Sequence, residues 1–477
     1  MLTRRRWLEG AAAGALLSRS SRPRATGTLP VHEYALAEAR RLAADRTLAL
    51  KLMYPEGSLA NLRPIVDTFA QETSVRIQLE EVPLDGITEE LLLEADRREG
   101  RFDVAVPASF GIPDLVEAGV LLNLDRFAQR HEPAELKDDA LFSLGDHYKG
   151  SLYGYQTDGD AYLMFYRSEL LNDVQEQARF ADEYGYELKV PRTWDQLDAQ
   201  MAFFHRPGDG LYGGALYRNR YVAWEWWLRF HAKGCYPFAD DLTPQIDSDA
   251  GVAALEALTA ASRHLYPRAR QNGLFENFIA FGAGDIYCNI GWGGTQKHLN
   301  SDASRVRGKV VHGTTPGAVL GGSHVPVSYF NWGWNYVVSS LTSQPELSYL
   351  FALFAASPTM STRAVRQADG FFDPFRRSHY ADPTVVEIYS RSFLDAHQQG
   401  MSDAMPDLYL KGQVEYFDEL TLAIQAADRG EKTPRQALAD AAGNWNRITE
   451  RMGSRSQQVQ WQYLKSTYPE HLRRVLK

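Results

Sequence analysis

Between residues 47 and 118 the chain alternates strand and helix signals, and this pattern most restricts what it can fold into. Thr47 to Met53 runs extended and apolar, and Tyr54-Pro55-Glu56-Gly57-Ser58 breaks it. Ser58 is placed to cap a helix over Leu59–Glu72, in which Leu62, Ile65, Val66 and Phe69 recur three and four residues apart. Val75 to Val82 alternates as a second strand. A helix over Ile87–Arg98, a short third strand over Phe102–Val106 and a helix near Ile112–Ala118 follow. Strands separated by single helices at this spacing need crossover connections and pair in parallel. Ligands of such open α/β sheets sit outside the carboxyl ends of the strands, here Tyr54–Ser58 and Pro107–Phe110.

At 477 residues there is chain for two or three domains of this kind. Residues 33–45 read as a short surface helix ahead of the first strand. Tyr148–Tyr166 reads as two extended segments separated by a polar kink, Gln156 to Asp160. Thr193 caps a helix that starts at Trp194. Strands are expected over Gly210–Leu216 and Asp285–Ile290 and near Lys309–His312, with strand-like residues returning over Ser323–Ser340. Helices are expected over Asp249–Arg263, Ser348–Ser357, Val385–Gln398, Val414–Ala427 and Pro434–Arg451.

Composition removes several classes. Apolar residues make up 44% of the chain, ample for packed cores, so disorder is not its main state. With 60 acidic against 51 basic residues the formal charge is −9, and six of the arginines lie in the first 26 residues, so the remainder is more acidic still. An acidic body argues against nucleic acid and anionic membrane surfaces as partners. Aromatics reach 12%, an excess common where flat ligands are stacked. The two cysteines, Cys235 and Cys288, have no zinc spacing; they could form one bridge in an oxidising compartment or remain two buried thiols.

The N-terminus reads as an address. Thr3-Arg4-Arg5-Arg6-Trp7-Leu8 precedes a weakly apolar block, Ala11 to Leu17, too short to span a bilayer. The order resembles a bacterial twin-arginine export signal, placing residues 1–26 in a signal peptide and the mature protein in the periplasm or outside the cell. No later stretch has the length of apolar residues that a membrane span needs.

Signatures of catalysis are missing. The sequence has no phosphate-binding GxxxxGK[ST] loop, no HExxH, no GxSxG and no dinucleotide-binding GxGxxG after a strand. The cluster Gly291-Trp292-Gly293-Gly294 follows a strand but lacks the residues that grip a nucleotide. No cofactor, no metal and no enzymatic activity are expected. An aromatic-rich, exported α/β chain without catalytic residues suits solute binding: ring faces for the C–H side of a sugar, and Asp, Asn, Glu or Arg for its hydroxyls.

Several phrases carry a family resemblance. They are Phe102-Asp103-Val104 with Leu115 to Asp125, Gly150-Ser151-Leu152-Tyr153-Gly154-Tyr155 with Tyr166, and Pro191-Arg192-Thr193-Trp194-Asp195-Gln196-Leu197. Asn277 to Gly284 followed by Trp292, and Thr433-Pro434-Arg435-Gln436-Ala437-Leu438 with Trp445-Asn446, complete the set. In this order they resemble bacterial extracellular solute-binding protein family one, the carbohydrate-binding components of ABC importers typified by maltose-binding protein.

The resemblance implies a two-lobed periplasmic-binding-protein fold of α/β class with three hinge crossings, near 155–160, 322–330 and 370–376. One lobe would comprise 47–156 and 323–372, the other 157–322 and 373–477. It implies a sugar or oligosaccharide in the interlobe cleft, delivery to ABC-transporter permease subunits, and a monomer. The family's contacts carry over to Tyr54, Glu56, Ser58 and Ser109 on the first lobe, and to Asp158 and Asp160 at the first crossing. They carry over to Asn219, Tyr221, Trp224 and Trp292 on the second lobe, with Tyr409 from the C-terminal helices. Asn331 and Trp332 would serve at the second crossing, Asp373 and Arg376 at the third. The Tyr329–Trp334 and Phe371–Arg377 segments depart from the family's usual phrases. A polyol, a sugar phosphate or a polyamine therefore stays open as ligand, with Arg218, Arg220, Arg376 and Arg377 available for an anion. A secreted carbohydrate-active enzyme is the alternative of another class.

Overall fold

The computed structural model describes residues 29–477 apart from Glu99, Asn331 and Trp332. The expected export signal and the site candidates Asn331 and Trp332 therefore lie outside the described residues. Among those described, no helix is long and apolar enough to cross a membrane.

Two sheets organise the chain. In the first, strand Ala49–Pro55 pairs in parallel with Arg76–Val82 and with the two-residue strand Val104–Ala105. Asn335–Val338 then adds antiparallel to Val104–Ala105 and carries Gly154–Gln156 on its far side. The expected parallel sheet is thus its first three strands; the return of the chain closes it in the opposite direction. In the second sheet, Leu163–Arg167 lies antiparallel between Val310–Thr314 and Ile286–Gly291, and Tyr212–Ala215 pairs in parallel with Ile286–Gly291.

Helices cover each sheet with the faces their periodicity prescribes. In Leu59–Thr73, Leu62, Ile65, Val66 and Phe69 are all buried, and Phe69 meets Phe351 and Phe354 at 5.1 and 5.3 Å between ring centroids. Ser58 precedes this helix with helical backbone angles and makes no side-chain capping bond, so its expected capping role does not hold. The helix expected on the surface, observed over Val31–Ala43, buries Ala35, Leu36 and Ala39 in the first lobe. The helix expected over Val385–Gln398 is two, Pro383–Tyr389 and Arg391–Asp403, broken at Ser390 with φ +73°.

The second lobe is built round Val222–His231, which buries Trp226 and Trp227 completely and packs against Asp249–Ala261 and the C-terminal helix Gln413–Asp428. Its fully buried Glu225 accepts from Arg218 Nη1 at 2.5 Å and Arg229 Nε at 2.8 Å, and Arg229 forks the Asp198 carboxylate at 2.7 Å. Both cysteines are free: Cys235 is half-buried and Cys288 fully buried.

Three passes of chain join the lobes. The first runs over 157–162 and the third over 370–377, beside expected positions of 155–160 and 370–376. The second falls later than expected: Ser323–Val325 forms a hairpin with Ala318–Leu320, and Ser328–Tyr329 pairs with Ala404–Met405 of the second lobe. The change of lobe therefore falls after Tyr329, in the second lobe, and before Asn335, in the first. The C-terminal region reaches back across the divide, where Gly412 N–H donates to both Asp114 oxygens at 2.9 and 3.1 Å.

Under the first pass, Asp146 is buried and accepts from Asn335 Nδ2 at 2.7 Å. Burial pushes its carboxyl up to about 7, against the opposing pull of Lys137 and the Gln156 N–H. A carboxyl raised on folding stays protonated in the native chain while its unfolded counterpart ionises near pH 4. It therefore costs stability progressively as pH rises from that value to its own. Asp146→Asn removes this cost. The variant should gain on the order of 2–4 kcal/mol relative to the unaltered protein between about pH 4 and pH 8. Denaturant melts at both ends of that range check it; parallel curves would contradict the assignment.

Candidate functional site

A narrow cavity lies between the lobes, outside the carboxyl ends of strands from both sheets. Leu84, just past strand Arg76–Val82, lines it from the first lobe, and Trp292, just past Ile286–Gly291, from the second. Trp224, Leu274 and Phe275 complete the second-lobe wall. Asp160 and Tyr162 come from the first pass, Trp334 from the end of the second and Phe371 from the third. Phe275 stacks on Phe371 at 5.3 Å and Trp224 on Tyr221 at 4.8 Å. The free space is ≈ 40 Å³, against roughly 300–1,000 Å³ for a typical small-molecule pocket. That is less room than a sugar ring needs, so a solute fits between these rings only if the walls move apart.

Behind Asp160 sits an acidic cluster made by the passes themselves. One oxygen from each of Asp158, Asp160 and Asp373 lies within 4.8 Å of the others, and all three residues are buried. Asp158 Oδ1 accepts the backbone N–H of Gly159 at 2.7 Å and that of Asp373, tying the first pass to the third. Asp373 Oδ1 accepts from Tyr389 OH at 2.7 Å, and the carboxylate also takes the backbone N–H groups of Gly293 and Gly294. Lys297, one turn further along the helix Gly293–Leu299, donates to the carbonyls of Gly370 and Phe372 at 2.6 and 3.0 Å. Its ammonium stands 3.9 Å from Asp373 Oδ1.

Two glycines make this approach possible. A Cβ on Gly159 would lie 2.1 Å from the carbonyl oxygen of Pro374, and one on Gly293 would lie 2.2 Å from the Asp373 carboxylate. Gly294 does the same for Trp292, whose indole nitrogen would be 2.8 Å from an added Cβ.

The electrostatics follow from three acids sharing one base out of water. Burial first, and then the neighbouring carboxylates, push Asp158 and Asp160 well above the ordinary range. Asp373 rises to about 6 for the same first reason, with Lys297 opposing. Burial lowers Lys297. Asp158 Oδ2, Asp160 Oδ1 and Asp373 Oδ2 have no hydrogen-bond partner among the described residues.

With this geometry in place, the comparisons with known proteins are specific. A family model described as "Bacterial extracellular solute-binding protein" matches residues 64–388. The chain belongs to that family. Solved solute-binding proteins share the two-lobed fold. One from Agrobacterium radiobacter K84, in complex with ribitol, is 19% identical over 84% of this chain and 98% of its own, with a TM-score of 0.72. Maltose-bound MalE3 of T. maritima is 19% identical over 84% and 100%, with a TM-score of 0.70. The GacH receptor of Streptomyces glaucescens is 17% identical over 85% and 99%, with a TM-score of 0.69.

In this solute-binding protein, three residues singled out from sequence line the cavity: Asp160, Trp224 and Trp292. Asp158 and Asp373 stand directly behind them. The remaining candidates are engaged elsewhere. Ser109 Oγ donates to Gly333 O and Asn335 Oδ1 at 2.9 and 2.7 Å, under the second pass. Asn219 Oδ1 accepts from Tyr221 N at 3.0 Å and its amide donates to Asn272 O. Arg376 is buried against Asp139, with further bonds to the carbonyls of Leu136 and Ala356. Tyr409 OH donates to Gly145 O at 3.1 Å. Tyr54 is buried beneath Glu81, Glu56 is exposed, and Ser58 is buried; none of these three lines the cavity.

The arginines considered for an anionic ligand are also committed. Arg218 pairs with Glu225, Arg220 with Asp85 and Arg376 with Asp139, while Arg377 donates to Asp138 O. Residues that sequence reasoning missed are Leu84, Tyr162, Leu274, Phe275 and Lys297. Phe275 alone carried a signal, as an aromatic just ahead of the family-like phrase that starts at Asn277.

Beside the cavity, Asp85 of the first lobe pairs with Arg220 and accepts from Tyr221 OH of the second at 3.0 and 3.2 Å. Its partners lie on different lobes, so parting the lobes would break it. Asp85→Ala should leave the fold intact, because the Arg220 pair is solvent-exposed. It should weaken solute affinity about three- to tenfold by lowering the closed population. Calorimetry measures this, and unchanged affinity would remove the latch from the closing equilibrium.

Proposed function

We propose that this protein is the extracytoplasmic receptor of an ABC importer. It takes a sugar-like solute into the interlobe cavity and presents the closed complex to the permease subunits. The observation that carries the reading is the convergence of rings from the second lobe and all three passes, faced by Leu84 of the first lobe, on one buried carboxylate. Rings offer flat apolar faces to the C–H side of a pyranose or polyol, and a carboxylate oxygen accepts from its hydroxyl or amine donors. Family membership supports the role and a location outside the cytoplasm. Relatives of this fold solved with ribitol and with maltose support the solute class.

The enzyme alternative is less favoured by the carboxylate geometry. Asp158, Asp160 and Asp373 form one buried cluster, whereas glycoside hydrolysis uses a pair of carboxyls flanking the scissile bond. Only Asp160 of the three lines the cavity. In this reading the protein binds without turnover, acts as a monomer, needs no cofactor and binds no nucleic acid.

Trp292 is the residue whose loss should matter most for affinity. It is only partly buried, and it rests on Phe275 and Phe278 at 6.4 and 6.1 Å. Trp292→Ala should keep the fold and cost on the order of 2–4 kcal/mol in binding, about thirty- to a thousand-fold in affinity. Calorimetry with a sugar selected by thermal shift checks it. Near-normal affinity, or a collapse of thermal stability, would make Trp292 a core residue instead.

The export route is part of the same reading, resting on Thr3-Arg4-Arg5-Arg6-Trp7-Leu8 ahead of a weakly apolar block. Replacing Arg4 and Arg5 by Lys should hold the precursor in the cytoplasm, as read by fractionation and immunoblotting. Normal periplasmic accumulation of that variant would refute the twin-arginine assignment.

A further inference from the structure

The cavity wall is aromatic and aliphatic except at one place. Asp160 is its one charged lining residue among those described, and no Lys or Arg lines it. Asp160 Oδ1 is buried without a hydrogen-bond partner among the described residues. Two more carboxylates, Asp158 and Asp373, stand behind it, each with one oxygen equally unpartnered. The nearby cation, Lys297, gives two of its three N–H donors to the carbonyls of Gly370 and Phe372 and stands 3.9 Å from Asp373 Oδ1. The arginines that could supply more positive charge are tied to Asp85, Glu225 and Asp139 outside the cavity. Trp334 hydrogen-bonds the Asp160 carboxyl, but Asp160 Oδ1 has no donor among the described residues, and three acids share the one ammonium of Lys297.

From this we infer that the solute carries a protonated amino group, seated against Asp160 among the indoles of Trp224, Trp292 and Trp334. The inference rests on the solute-receptor reading and sharpens it. A sugar hydroxyl would give Asp160 a donor but no charge. An ammonium gives both, and its N–H bonds are strongest to a carboxylate out of water. The surrounding ring faces carry negative quadrupole density, which attracts a cation that has lost its water. The same wall disfavours phosphate and carboxylate ligands, since the one nearby ammonium, Lys297, already faces three acids and no Lys or Arg lines the cavity. The ammonium could belong to an amino sugar or to a linear diamine, and the two differ in what else the rings must cover.

Calorimetry on the full mature chain with D-glucosamine, D-glucose, N-acetyl-D-glucosamine and putrescine separates these cases. Glucosamine should bind about tenfold or more tightly than glucose and than its N-acetyl form, which keeps the size and loses the charge. Putrescine binding more tightly than glucosamine would assign a linear amine, and the reverse an amino sugar. Asp160→Asn should bring glucosamine and glucose to near parity. Asp146→Asn, a buried carboxylate outside the cavity, should leave the preference intact. Glucose binding as tightly as glucosamine to the unaltered protein would overturn the amine and leave the solute-receptor reading standing. If neither amine binds, the inference falls. If neutral sugars and polyols also fail to bind, the receptor reading falls with it.

Discussion

The first and third of the three passes between the lobes bring Asp158, Asp160 and Asp373 into one buried cluster with Lys297 beside it, and the site depends on that contact. The Asp158 carboxylate accepts the N–H of Asp373, so the first and third passes cannot move independently. The Asp373 carboxylate in turn takes the N–H groups of Gly293 and Gly294 at the start of the helix that also supplies Lys297. Hinge and second lobe are thus joined through one carboxylate. The arrangement tolerates no Cβ at Gly159 or Gly293, because each would fall well inside contact distance of a neighbour. Buried carboxylates with unpartnered oxygens are costly to fold. A cluster that keeps them at a hinge beside a cavity is more readily explained by what it binds than by what it stabilises.

The cavity is then an outcome of topology. Strand ends from both sheets point their following loops at the same gap, Leu84 from one side and Trp292 from the other. The passes floor it with Asp160, Tyr162, Trp334 and Phe371. Because the walls belong to different lobes, the free space depends on the angle between them. In the closed arrangement the aromatic rings fill most of the volume themselves. Binding energy can then be coupled to closure, since a solute that touches both lobes favours the form in which both walls are near.

Much of this was legible along the chain, for identifiable reasons. Local periodicity placed Leu62, Ile65, Val66 and Phe69 on one buried face. Trp292 stood out because a large ring between glycines after a strand is a poor core position, and it does line the cavity. What the sequence hid was decided at long range. Arg376 looks free in Phe375-Arg376-Arg377, yet Asp139, more than two hundred residues earlier, takes it out of the cleft. Lys297 looks like an ordinary helix lysine until the third pass lays Gly370 and Phe372 against it. Ser390 breaks an otherwise continuous helical pattern with a left-handed backbone that no Gly or Pro announces. The helix Val31–Ala43 has the composition of a surface helix, but its small residues let it dock closely on the first lobe.

The central claim is that the two lobes close over a solute held between them. Small-angle scattering tests it most directly, on the full mature chain with and without a saturating solute chosen by thermal shift from sugars, polyols and amino sugars. The account predicts a smaller radius of gyration with solute, matching the closed arrangement, and a larger one without it. An identical radius at proven saturation would mean that the solute binds without moving the lobes, and would contradict the account.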